Sequence, residues 1–213
     1  MKKLLLVLAV VLFANVARAE GFGFHLGAKL GYQTANLSLK KADIESGFAN
    51  HFTAGVFGRV NIKNVIIQPE LMWFKSGQVF NLENDGIFNP TLTMSQQNLA
   101  LPIFIGYQFM DLKLVKLRAN VGPVMYFVVD QTNKCNYDDQ AIDLKANGMT
   151  WGGALNVGVD VLMFTLDINY SFGLTNLIDK SDVQIGGYDF PIDNTKQSIF
   201  TVTLGVKLFS FGL

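Results

Sequence analysis

Seven charged residues of this chain alternate with apolar neighbours: Lys29, Arg59, Glu70, Arg118, Asp160, Asp167 and Lys207. Charges on the polar side of alternating stretches can neutralise one another as a buried ion network, or line a path for protons or ions. An isolated buried charge is costly, so a mutually paired network is the expected arrangement. Nucleophilic chemistry has thinner support. The only histidines are His25 and His51, and acyl transfer needs a histidine converging with a serine and a carboxylate. His51 could meet Ser76 or Ser95, but no motif ties them together, so no catalytic residue is assigned and no enzyme activity is expected. Acidic clusters at Asp130, Asp138, Asp139 and Asp143, and at Asp179, Asp182, Asp189 and Asp193, lack EF-hand spacing and read as solvated loop charge. Cys135, the single cysteine, excludes an internal disulfide and a cysteine zinc cluster, and reads as a free thiol in a polar loop. Gly21, Gly23 and Gly27 belong to a strand face rather than a phosphate loop. No metal site and no cofactor are expected.

Placing those charges takes β-strands. Eight segments alternate apolar and polar residues with the period of a strand. They begin at Phe22–Gln33, His51–Ile62 and Val65–Phe74, continue around Leu99–Phe109 and Leu117–Phe127, and finish at Trp151–Val161, Phe164–Phe172 and Phe200–Leu208. Their connections run long, short, long, short, long, short, long. Long polar loops are expected up to about Asn50, over Lys75 to Gln97, over Asp130 to Met149, and over Gly173 to Gln197. Tight turns are expected at Lys63-Asn64, at Asp111 and at Leu162-Met163, the last without the usual Gly or Asn. That rhythm predicts an all-β fold: an eight-stranded antiparallel up-and-down transmembrane β-barrel, with loops at one rim and turns at the other. Hairpin register then pairs Arg118 with Asp160, and makes Asp167 with Lys207, and Arg59 with Glu70, near-diagonal neighbours.

Periodicity alone does not say which face points outward. The apolar face carries no charge in any segment, and a Lys or Arg there at mid-membrane would cost about 2–4 kcal/mol. The opposite face is rich in Gly, Ala, Thr, Ser and Asn, which suits a crowded lumen. At the long-loop end the apolar faces carry Tyr32, Phe52, Trp73, Phe127, Trp151, Phe172 and Phe200, as an interfacial aromatic girdle would. Phe22, Phe24, Tyr107, Phe109 and Phe164 form a sparser set at the turn end. The apolar face is therefore expected to meet lipid.

Met1-Lys2-Lys3, an apolar run of about 13 residues and Ala17-Arg18-Ala19 read as a signal peptide over 1–19, leaving an outer-membrane β-barrel domain over 20–213. That run is too short for a membrane helix, which needs roughly 20 residues. Loss of the leader leaves a net charge near −3, against a nucleic-acid partner. Gln68-Pro69-Glu70-Leu71, Leu101-Pro102-Ile103, Val121-Gly122-Pro123 and Leu166-Asp167-Ile168-Asn169-Tyr170 with Gly173-Leu174 occur in order. In these words the mature chain resembles the PorT-like outer-membrane β-barrel family, also called the porin family. The resemblance implies an eight-stranded barrel in the outer membrane of a Gram-negative cell, and no shared activity. The expectation is a non-enzymatic barrel with both termini periplasmic and four long extracellular loops. Its partners would be outer-membrane lipids, the barrel assembly machinery and an extracellular ligand or protein. A narrow channel is the alternative, because eight strands enclose little more than side chains. A secretion component or lipid-modifying enzyme is a further one.

Overall fold

The computed structural model describes residues 21–38, 49–81, 91–112, 114–135, 147–176, 181–185, 188–192 and 196–212. The leader and Asp138, Asp139, Asp143, Asp179 and Asp193 lie outside them. Among the described residues there are ten strands: β1 (Phe22–Ser38), β2 (Ala49–Ile62), β3 (Val65–Asn81), β4 (Thr91–Leu112), β5 (Val115–Cys135), β6 (Met149–Val161), β7 (Phe164–Gly173), β8 (Ser181–Ile185), β9 (Tyr188–Ile192) and β10 (Lys196–Phe211). Eight of them close a barrel in the order β1-β10-β7-β6-β5-β4-β3-β2, every pairing antiparallel. A closed ladder leaves no edge within the ring, which a lipid environment requires.

Burial decides which face is which. In β1, Lys29 is 1% exposed and its neighbour Leu30 is 56% exposed. The same contrast recurs in β6 and β7, where buried and exposed residues alternate along almost the whole strand. The buried charged side chains of the strands point into the barrel and the exposed rows of Leu, Ile and Val out of it, the reverse of a water-soluble barrel.

Four local expectations are corrected. The stretch from Lys75 to Gln97 is largely strand, because β3 and β4 stay paired as far as Asn81 opposite Thr91. The β4–β5 ladder likewise continues to Leu92 opposite Cys135, so Cys135 ends a strand rather than lying in a loop. Asp111 also belongs to a strand: it faces Lys116 across β4–β5, with a 3.3 Å ion pair. The last long connection contains the β8–β9 hairpin, in which Ile185 faces Tyr188. Alternation in Val183-Gln184-Ile185 and Tyr188-Asp189-Phe190, flanking Gly186-Gly187, is the sequence signal for it.

The two remaining turns stand where expected. Lys63 and Leu162 open them with φ of 54° and 55°, a left-handed conformation that glycine adopts more cheaply. In β10 the register slips between the pairs Leu26–Phe209 and Gly27–Lys207, leaving Leu208 as the extra residue. That bulge turns Phe209 and Phe211 outward beside Phe24, and the Phe24 and Phe209 rings meet edge-on at 6.4 Å. Phe22, expected in this outer aromatic set, is instead 6% exposed.

Glycines on the inner face make room that a side chain would take. A methyl group at Gly158 would run into the Arg118 guanidinium and the Asp167 carboxylate, whereas one at Gly58 would meet nothing closer than Leu26 at 3.6 Å. Gly158→Ala is expected to destabilise the barrel by about 1–3 kcal/mol through overpacking. Gly58→Ala should be neutral or stabilise it by up to about 1 kcal/mol. Urea unfolding of both variants in lipid vesicles checks the contrast.

Candidate functional site: the barrel lumen

The expected charges converge inside the barrel, toward its turn end. Arg59 on β2 donates from Nη1 to Asp160 Oδ2 at 2.5 Å, and from Nε to Gln68 Oε1 at 2.5 Å. Because β2 and β6 lie four strands apart in a ring of eight, the Arg59–Asp160 pair ties opposite walls together. Arg118 on β5 binds both Asp160 and Asp167, and reaches Thr165 Oγ1 at 2.7 Å. Lys29 pairs with Glu70 and, at 2.8 Å, with Asp167 Oδ2. Lys207 approaches Asp160 Oδ2 at 3.5 Å. Gln68 donates to Glu70 at 2.5 Å, while Asn156 donates to Asp167 at 3.0 Å and to Asn169 at 2.6 Å.

Two of the expected pairings are replaced. Asp167 is held by Lys29 and Arg118, and Lys207 turns to Asp160. Gln68 stands between Arg59 and Glu70, accepting from the first and donating to the second. Arg118 and Asp160 do meet, but diagonally. The β5–β6 ladder runs two residues off the expected register, setting Arg118 opposite Gly158 and Asp160 opposite Lys116.

Sequence reasoning missed the aromatic ring inside this network. Phe57 is 2% exposed, with Lys29 Nζ 5.0 Å and Arg59 Cζ 5.3 Å from its centroid. Such cation–π contacts help two buried cations share the lumen. Inward Phe57 was legible from strand parity, since it has the parity of Thr53 and Arg59.

Toward the loop rim the lumen changes character. Met72, Phe74, Ala100, Phe104, Val124, Ala154 and Ile199 form an apolar cluster with Tyr126 packed against it. Tyr126 Oη bonds Ser171 Oγ at 2.6 Å, and its ring meets Phe74 edge-on. A cavity of about 50 Å³ lies among these residues and a set of polar ones from β1, β2, β7 and β10. Among the described residues, no three His, Cys, Asp or Glu side chains cluster as a metal site needs.

The other candidates are spread out. His25 bonds Ser210 at 2.9 Å near the turn end, whereas His51 lies opposite Gln33 toward the loop rim. Ser76 is buried and accepts from Asn98 at 2.8 Å, and Ser95 is exposed. On the outer face Tyr32, Phe52, Trp73, Trp151, Phe172 and Phe200 are exposed, and Phe127 is half-buried. Tyr32 faces Phe52 across β1–β2, and Phe200 faces Tyr170, which adds an eighth ring at this level. Lys75 lies 5.8 Å over the Trp73 ring.

A family model described as the outer membrane protein beta-barrel domain matches residues 13–179. A search of curated proteins found no match. Among solved structures the chain is similar to the outer membrane protein OprG from Pseudomonas aeruginosa. The two are 13% identical, with 92% of this chain and 97% of that one covered, at a TM-score of 0.54. It also matches Ail, the attachment invasion locus protein of Yersinia pestis, in complex with the heparin analogue sucrose octasulfate. There the identity is 10%, the coverage 90% and 99%, and the TM-score 0.44. Neisserial surface protein A is 14% identical over 89% of this chain and 100% of that one, with a TM-score of 0.40.

Proposed function

The chain belongs to the outer membrane protein beta-barrel domain family, and from that premise we propose that it is a non-enzymatic surface protein whose long-loop rim meets an extracellular ligand or protein. The carrying observation is the Arg59–Asp160 pair, which joins opposite walls and closes the lumen with side chains toward its turn end. A plugged centre favours a rim function over transport. The β3–β4–β5 ladder adds support: it runs from the level of Trp73 and Leu99 on to Asn81, Thr91 and Cys135, raising a three-stranded platform at that rim. Both termini then stand on the periplasmic side, residues 1–19 serve as the secretion leader, and the assembly machinery inserts the barrel among outer-membrane lipids. The ordered words from Gln68 to Leu174 favour a PorT-like member of the family.

Planar-bilayer recording tests this reading. The purified barrel is expected to give no steady ohmic openings. Openings whose size changes on Arg118→Ala substitution would instead establish a narrow channel. A change in lipid A composition on deletion of the gene would point to the lipid-modifying alternative.

A further inference from the structure

The cavity in the loop-side half of the lumen is two-sided. One wall comes from four adjacent strands, β3 to β6, and is apolar at Met72, Phe104, Val124 and Ala154, with Glu70 of β3 at its turn-side end. The facing wall comes chiefly from β1, β10 and β7, also adjacent, and presents Gln33, Thr201, Thr203, Asn169 and Ser171. Two of these polar groups are unmet: Gln33 Nε2 and Thr203 Oγ1 are buried with no hydrogen-bond partner among the described residues. An unmet buried polar group costs about 1–3 kcal/mol, so the site gains from whatever can satisfy it.

At about 50 Å³ the space exceeds what one water needs and is about a third of an engineered cavity that holds benzene. Water alone would satisfy the polar wall but lie against an apolar one. A charged ligand would lose its hydration beside Glu70, whose carboxylate Lys29 already holds.

We propose that this cavity is a blind binding pocket for a small, uncharged, amphipathic molecule of a few heavy atoms. Its apolar edge lies against Met72 and Phe104, and its hydrogen-bonding edge against Gln33 and Thr203. The ion network blocks the turn side, so the ligand enters from the loop rim. The pocket is independent of what that rim binds.

Methionine placement supplies the test. Met72 lies in the lumen, 7% exposed, whereas Met163 lies in the tight turn at the far end of the barrel, 52% exposed. With the methionine methyls labelled with carbon-13 and the full barrel in detergent micelles, three probes of equal carbon number are titrated: 1-propanol, glycerol and propionate. The expected result is a saturable shift of the Met72 resonance with 1-propanol, well beyond any drift of Met163, and none with glycerol or propionate. Ala154→Val, which puts extra carbons into the cavity, should abolish that shift. Ala100→Val serves the same purpose should the first variant fail to fold. A Met72 response no larger than that of Met163, an equal response to glycerol, or a shift that survives both fillings overturns the proposal.

Discussion

Replacing Asp160 by alanine is expected to destabilise the barrel by about 3–5 kcal/mol, the usual cost of deleting one partner of a buried ion pair. The carboxylate is the hub of three cations: Arg59 from the opposite wall, Arg118 from the neighbouring strand, and Lys207 from β10. Removing it leaves those charges close together where little water can screen them. Most of the penalty comes from the stranded cations rather than from lost attraction. Lys207→Met added to Asp160→Ala should therefore recover part of the loss by removing one of them. Urea unfolding in lipid vesicles, followed by the fluorescence of Trp73 and Trp151, measures both variants. A loss below about 1 kcal/mol would show that water screens the centre, and the plugged-lumen reading would fall.

The same hub explains what could and could not be read from residues alone. Strand parity put Lys29, Arg59, Glu70, Arg118, Asp160, Asp167 and Lys207 on one face, because a barrel in lipid imposes a strict two-residue period on each spanning segment. Pairing was harder. Arg59 with Asp160 joins strands that are not neighbours, and no hairpin sum can reveal a contact across a lumen. The polar composition between β5 and β6 does not fix where one strand ends and the next begins, which leaves the register open by the two residues that separate Gly158 from Asp160 opposite Arg118.

Outside the lipid band the period itself loses its cause. From Ser95 to Asn98 and from Asp130 to Asn133 every residue is polar, so hydropathy marks neither face, yet the backbone ladder continues. The ladder needs only hydrogen bonds, which any residue but proline supplies. Inside the band, Phe57, Phe74 and Phe104 lie on the polar face, where alternation predicts hydrophilic residues. They fill a lumen that small polar side chains alone would leave hollow; strand parity places them inward, but hydropathy alone does not say that an apolar ring belongs there.

Ile168→Arg is the sharpest test of the outward face. Ile168 is exposed in β7, midway between Phe164 at the turn end and Phe172 at the loop end, and faces Val202 of β10. A guanidinium there must either sit among acyl chains or thin the bilayer around itself, at a cost of about 2–4 kcal/mol at the midplane. Depth is the discriminating variable. Leu162→Arg, in the tight turn at the barrel's end, should cost no more than about 1 kcal/mol, because the side chain reaches headgroups and water. Folding free energies in vesicles of defined thickness measure both, and thinner bilayers should shrink the penalty at Ile168 while leaving Leu162 unchanged. Equal penalties at the two sites, or none at either, would mean that the apolar face does not contact lipid. The exposed rows of Leu, Ile, Val and Phe would then need a protein partner to cover them.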